Sequence, residues 1–459
     1  MLDKTEQGAT AQLGAFASSL RYEQIPADVV EKIHDCIIDA LGGVLFGVTL
    51  PWTKMVMDFV GHEGGNAKVG IPGTQFRTSA SNAVLVCATA GHGFELDDMH
   101  VAAHLHAGSI AVPTALAVAE DVGNISGREL IAAIAAGYEV GCRVGLAATG
   151  SHFKRGHHFQ GTVGPFVASA VAASILKLDA SAAHHAIGIG GSFGAGLMAA
   201  QEGAMSKRLH SGRAAQAGLT GAYLAQRGMT GIANVLEAPY GGFLSTMSDT
   251  PDYAQLTRDL GENWELRNVG FKVYPSAGSV QISVFLADQI MRENSLTEAD
   301  IESVQIYCST MAYRHCAWPY RPIGVTSAQM NLFYTVAAMI LDRELTDRQY
   351  QQDRLIDPRL MDVISRINIE IDEKFDLGGD VTRQAQRIII KTRSGQVFER
   401  ELTHRPGSKH NPMSPDQLFA KFSNLANRVL PDSRINEIRA CVADLENRKV
   451  ADLLPLLAP

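Results

Sequence analysis

The residues best equipped for chemistry crowd into one short apolar stretch, HGFELDDMHVAAHLHAGSIAVP. Asp97, Asp98, His100, His104 and His106 fall within ten residues there, ahead of a glycine and an apolar run. Carboxylates beside imidazoles serve either as a metal site or as an acid/base and orienting site. The spacing D-D-x-H-x3-H-x-H matches no familiar metal motif, and no partner cysteines stand nearby, so the expectation is a metal-independent site. A surface loop of solvated histidines is the plainer alternative.

Three further segments carry usable groups. In FKRGHHFQGTVGPF, His158 precedes Gln160, Gly161 and Thr162, whose amide and hydroxyl groups open a small-residue helix where an anion would be favoured. Taken alone, a histidine such as His158 is more often structural than catalytic. In AMSKRLHSGRAAQAG, Lys207 and Arg208 follow a long Gly/Ala run. A lysine desolvated there has its pKa lowered from about 10.4 and becomes a base or a carboxylate anchor, unless it simply lies on a helix surface. In GFKVYPSAGSVQ, Lys272 and Tyr274 stand before a helix start, a combination suited to a carboxylate, although Tyr274 could be packing. The Gly-rich GIGGSFGAG lacks the G-K-[ST] of a P-loop and misses G-x-G-x-x-G because Phe193 takes the last place, which excludes nucleotide binding by those routes.

The elements that must position these groups are mostly helical. In PADVVEKIHDCIIDALGG, Pro26 marks a helix start, Val30, Ile33, Ile37 and Leu41 recur at helical spacing, and Gly42-Gly43 is expected to stop the run. Further helices are expected over 79–95, 112–121, 127–146 and 164–176, with a short strand near 68–71 and no βαβ rhythm. From about Phe271 the texture changes. IESVQIYCS alternates, Ile367, Ile369 and Ile371 share one face, and RIIIKTRSGQVFEREL reads as a hairpin turning at Arg393-Ser394-Gly395. Helices over 279–292 and 327–342 lie between these strands, and 414–454 is helical again. The fold class is therefore mainly α with an α+β second domain: an all-helical domain of residues 1–268 and 405–459, and a smaller α+β lid domain of 269–404.

Composition narrows the function classes. The 459 residues carry a formal net charge of −8, so no basic stripe invites nucleic acid. The 6 cysteines are scattered, as expected of reduced thiols. The opening MLDKTEQGATAQ lacks the order of a signal peptide, and 161–176 is too short to span a membrane, so the expectation is a cytoplasmic protein with no membrane partner.

Several ordered segments together resemble the MmgE/PrpD family, which includes 2-methylcitrate dehydratase, cis-aconitate decarboxylase and iminodisuccinate epimerase. The family's acidic pair followed by His-Pro-Gly is similar to LDDMHVAAHLHAGSIAVP, and Gly-Phe-His-x-Thr-Gly-Thr to residues 156–162. Ser-Met-x-Lys-Arg-x-His-x-Gly-x-Ala-Ala resembles 204–215, Gly-Phe-Thr-Gly…Leu-Glu-Gly resembles GMTGIANVLEAPYGGF, Lys-x-Tyr-Pro resembles 272–275, and Asn-Pro…Lys-Phe resembles Asn411-Pro412…Lys421-Phe422. The resemblance spans nearly the whole chain. It implies a helical domain made of both chain ends, an α+β lid, a homodimer, no cofactor, and a site lined by Asp98, His106, His158, Lys207, Lys272 and Tyr274 that takes a small di- or tricarboxylate.

Three departures bear on the reaction. His-Pro-Gly is His106-Ala107-Gly108, the threonine after the second histidine is Gln160, and the Cys and His that family lyases carry after Lys-x-Tyr-Pro are absent from 276–281, which ends in Gln281. A glutamine amide does not titrate, so it can orient a carboxylate but not deliver a proton. The expectation is therefore epimerisation of an iminodisuccinate-like diacid, with Asp98, His106, His158, Lys207 and Tyr274 as catalytic groups and Arg208, Lys272, Gln281 and Gln160 as substrate-binding groups. The alternatives are a 2-methylcitrate dehydratase-type or cis-aconitate decarboxylase-type lyase and, in another class, an inactive polycarboxylate-binding homologue.

Overall fold

The computed structural model describes residues 8–379 and 383–459, and they form two compact units. The first comprises the chain as far as Met198, then Ser206–Val269 and Ser414–Pro459; the second comprises Ala199–Met205 and Gly270–Met413. The chain is mainly helical, with one small mixed sheet in the second unit.

In the first unit, helix α1 (Ala27–Gly47) starts after Pro26 but runs through Gly42-Gly43 instead of stopping there. Those glycines serve packing: a Cβ on Gly43 would sit 3.1 Å from the Gly91 carbonyl, and one on Gly47 only 2.1 Å from that of Ala90. Helix α2 (Ala80–Gly91) is capped by Ser79, whose hydroxyl accepts from the Asn82 N–H, and it ends before the acidic loop. Helix α3 (Gly108–Val122) begins ahead of Pro113 rather than beside it. Helix α4 (Gly127–Lys154) carries a capping box of Ser126 and Glu129 and is interrupted at Thr149, where φ is 58° and ψ 177°, shortly beyond the expected end at Leu146. By length and composition α4 could cross a membrane, yet 94% of its most apolar window is buried among its neighbours, which makes it the core helix of this unit. Helix α5 (Gly164–Ile175) is apolar at its buried positions apart from Ser169, which donates to the Ala186 carbonyl at 3.2 Å, and α6 (Ser206–Gln226) carries Lys207 and Arg208 in its first turn.

In the second unit, helix α7 (Gln281–Glu293) is followed by strand β1 (Ile301–Cys308). The expected 327–342 helix is two pieces, because Asn331 caps a fresh start for α8 (Leu332–Asp342) by accepting from the Tyr334 N–H. Strands β2 (Ile367–Ile371), β3 (Gln386–Thr392) and β4 (Val397–Leu402) complete a sheet in the order β2-β1-β3-β4. Strand β1 runs parallel to β2 and antiparallel to β3, pairing Ile306 with Ile369 and with Ile388. Ile367 and Ile369 are buried as their alternation implies, whereas Ile371 is 42% exposed. The hairpin turns at Gly395, whose φ of 86° suits glycine. The second unit extends to Met413, past the expected boundary at 404. Phe271 donates its N–H to the Gly407 carbonyl at 2.7 Å, and Arg405 donates to the Phe271 carbonyl at 3.1 Å, so 405–413 is bonded back onto the start of this unit.

The chain then returns to the first unit with helix α9 (Pro415–Ala426), whose Phe422 lies 3.3 Å from the Cβ position of Gly42 on α1. Lys421 on α9 donates at 2.6 Å both to Asp39 Oδ1 on α1 and to the Leu96 carbonyl in the acidic loop.

Candidate active site

The acidic loop after α2 holds the first part of the site. Glu95 is 2% exposed and adopts a left-handed backbone (φ 57°), uncommon for a long side chain and tolerated where surrounding contacts fix it. Its Oε1 accepts from both Lys207 Nζ and Arg208 Nη1, which are themselves buried in the first turn of α6. Two cations share this one carboxylate in a desolvated place, so the trio taken by itself carries one positive charge, with the Asp97 carboxylate on neighbouring His92 as an opposing charge. The Arg208 guanidinium also lies 6.0 Å from the Trp52 ring centroid.

Imidazoles gather beside the trio. His92 Nδ1 lies 2.6 Å from Asp97 Oδ2; the carboxylate accepts, so Nδ1 carries the hydrogen and Nε2 is the nitrogen that titrates. His106 Nδ1 donates to the Asp98 carbonyl at 2.6 Å and lies 3.7 Å from Asp97 Oδ1. His158 and His210 meet Nδ1 to Nδ1 at 2.8 Å, so one ring donates and the other accepts. Ring centroids are 5.4 Å apart for His92 and His106, 5.6 Å for His92 and His158, and 5.0 Å for His158 and His210. Burial holds the His158 imidazole well below its usual pKa, with the Lys207 charge adding to the effect. Burial also brings His210 down to about 4 and lowers His92, whose Asp97 partner opposes the shift. These three rings are thus neutral near pH 7 before a substrate arrives.

Asp98 works through its neighbours. Its carboxylate accepts from Tyr138 O–H at 2.6 Å and from the Gly108 N–H at 3.0 Å, and its carbonyl orients His106. Burial pushes the Asp98 carboxyl up to about 7, with the nearby Asp39 charge acting in the same direction. A Cβ on Gly108 would lie 2.5 Å from the Tyr138 oxygen, which explains the glycine in His106-Ala107-Gly108. His100 and His104 turn elsewhere. The first accepts from the Ala103 N–H and therefore donates from Nε2 to Glu265 at 3.0 Å; the second stacks on Phe159. Among the described residues no group of three His, Cys, Asp or Glu side chains is placed to hold a metal ion.

The two glutamines expected to bind substrate are both held by hydrogen bonds within the protein. Gln160 is fully buried; its Oε1 accepts from the His106 N–H at 3.2 Å, and its Nε2 donates to the His106 carbonyl, Ser109 Oγ and Ser211 Oγ at 3.0, 2.8 and 3.0 Å. It ties α3 to α6 beneath His106, with its amide wholly engaged by the protein. Gln160→Leu strands those groups, and a loss of about 2–4 kcal/mol in unfolding free energy is expected from urea titration; a loss under about 0.5 kcal/mol would remove this role from Gln160. Gln281, also fully buried, accepts from the Val273 and Tyr274 N–H groups and donates to Tyr274 O, Ser276 O and Ser276 Oγ. It pins the Lys-x-Tyr-Pro segment of the second unit. In that unit Lys272 is fully buried, Tyr274 is half-buried with burial raising its phenol so that it stays neutral, and Ser279 Oγ lies 3.0 Å from His315 Nδ1.

The structure therefore brings His106, His158, Lys207 and Arg208 together in the first unit with Asp97 of the acidic cluster, and adds His92, Glu95 and His210, which received no role from the sequence. His210 had a signal: it follows Lys207 by three residues, one face of a helix. Glu95 had none, because nothing local marks a left-handed glutamate.

Comparison with known proteins bears on the reaction. The MmgE/PrpD N-terminal domain matches residues 11–256 and the MmgE/PrpD C-terminal domain residues 274–447. The chain belongs to the MmgE/PrpD family. A family relative from Aspergillus terreus, named cis-aconitate decarboxylase, is 30% identical over 98% of this chain and 96% of its own length. A cis-aconitate decarboxylase-like protein of Aspergillus oryzae is 28% identical over 99% of this chain and 98% of its own. The human cis-aconitate decarboxylase is 24% identical over 99% and 94%. These MmgE/PrpD relatives bear lyase names, which supports the lyase alternative and gives the epimerase expectation no support.

Proposed function

We propose that this protein is a lyase that removes carbon dioxide from a small tricarboxylate of the cis-aconitate type. The observation that carries the reading is full-length similarity to proteins named for that reaction, at 30% identity over 98% of the chain. The buried groups fit it. The surplus charge of Lys207 and Arg208 over Glu95 suits a substrate carboxylate, and the neutral imidazoles beside it make a poorly hydrated place for the carboxylate that leaves. The bond to that carboxylate breaks, carbon dioxide departs, and the electron pair stays on carbon, spread toward the unsaturated system. A proton from an imidazole then completes the new C–H bond.

The segment 276–281 has no histidine of its own, but His315 Nδ1 lies 3.0 Å from Ser279 Oγ, which supports a lyase reading by setting an imidazole beside that segment. The test is 13C NMR in deuterium oxide with carboxyl-labelled cis-aconitate, 2-methylcitrate and iminodisuccinate. Labelled carbon dioxide from cis-aconitate, with one deuterium in the product, is expected. Water loss from 2-methylcitrate, or deuterium exchange into iminodisuccinate, without carbon dioxide from cis-aconitate would replace this reading.

A further inference from the structure

We propose that His92, anchored by Asp97, is the proton carrier of this site: it takes up a proton when the tricarboxylate binds and delivers it from Nε2 to the carbon that loses carbon dioxide. The inference rests on the decarboxylase reading above and assigns the step that reading leaves open.

The geometry singles out His92. It is completely buried, and its Nε2 has no hydrogen-bond partner, an expensive state for a polar atom unless a water or ligand completes it. The ring lies between His106 and His158, with centroids 5.4 and 5.6 Å away. The other rings are committed differently. His158 and His210 hold each other through their Nδ1 atoms, so a proton gained at Nε2 of the donor ring would be backed by a neutral nitrogen and not by a carboxylate. His106 spends its Nδ1 hydrogen bond on a carbonyl at 2.6 Å, with Asp97 Oδ1 farther off at 3.7 Å. His92 spends its own on a carboxylate at 2.6 Å, so the imidazolium formed at Nε2 has a hydrogen-bonded counter-charge.

Every charged or titratable group around His92 enters the balance. From its own loop come Asp97 and Glu95; from α6 come Lys207, Arg208 (Nη1 3.5 Å from the His92 carbonyl) and His210; His106 stands before α3 and His158 before α5. Burial and Lys207 keep the ring neutral in the free enzyme. A substrate carboxylate about 5 Å away, at an effective dielectric near 20, raises its proton affinity on the order of a hundredfold per charge. A trianion therefore brings its own acid into being. When carbon dioxide leaves, the Nε2–H bond breaks, the C–H bond forms, and His92 returns to the neutral tautomer with Nδ1–H still on Asp97. The proton comes from solvent on binding, and no other reactant is needed.

Calorimetry tests this with propane-1,2,3-tricarboxylate, which lacks the alkene and so binds without reacting. Titrations at pH 8 in two buffers of different ionisation enthalpy count the protons exchanged. Wild type is expected to take up about one proton per ligand bound. His92→Asn, whose amide still donates to Asp97 but offers nothing at the Nε2 position, is expected to take up less than about 0.2, bind within about tenfold, and lose about 10²–10³ in kcat on cis-aconitate. Asp97→Asn should move the uptake to lower pH, and it carries the test should His92→Asn fail to fold. Binding without uptake in wild type, or full uptake in His92→Asn, overturns the assignment while leaving the decarboxylase reading intact. No binding of the tricarboxylate overturns that reading itself.

Discussion

Replacing Lys207 with methionine is expected to lower kcat/KM for cis-aconitate about a thousandfold, or about 4 kcal/mol of transition-state stabilisation. Methionine keeps the length of the side chain and removes the charge, so Glu95 retains Arg208 and the buried trio falls from a surplus of one positive charge to none. The variant also carries a signature that a packing defect would not. The Lys207 charge depresses the imidazoles of His92, His158 and His210, so its removal must raise all three. The basic limb of the pH–rate profile, where a proton carrier that must be protonated titrates, therefore moves to higher pH. Steady-state kinetics across pH 5–9 (~0.5 unit steps) read both effects. A kcat/KM within tenfold of wild type, or an unmoved limb, would remove Lys207 from the site.

The second large effect concerns stability. Lys421→Met leaves Asp39, with 1% of its side chain exposed, without the cation that donates to it at 2.6 Å. Stranding one partner of a buried pair costs about 3–5 kcal/mol, and a loss of that size is expected in urea unfolding. The double variant Asp39→Asn/Lys421→Met should recover much of it, because neutral partners have no charge to desolvate. A loss below about 1 kcal/mol in the single variant would show that water reaches Asp39 in place of the lysine.

Much of this molecule is legible in its sequence. Helix periodicity, the alternation of Ile301–Cys308 and the Ser394-Gly395 turn are local signals, and local signals survive folding. The unusual setting of Lys207 and Arg208 was legible too, because a basic pair after a Gly/Ala run points to burial, and both side chains are buried. What failed was long-range. Gly42-Gly43 read as a stop because sequence cannot say that Gly91 lies 3.1 Å from an added Cβ. The partners that hold Gln160 and Gln281 within the protein, Ser109, Ser211 and the backbone of 273–276, could not be read either, because they become neighbours only in the folded chain. The counter-ion of Lys207 lay 112 residues away.

The bond between Lys421 and Asp39 spans 382 residues, and the same lysine holds the Leu96 carbonyl between the Glu95 and Asp97 side chains that build the site. At a synthesis rate of about 5–20 residues per second, tens of seconds separate the emergence of Asp39 from that of its cation. The helices before Lys421 can pack in that interval, but the acidic loop waits for an anchor that has not yet been made. During synthesis the loop that bears Glu95 and Asp97 thus gains its Lys421 anchor only after the helices from α1 to α8 have been made.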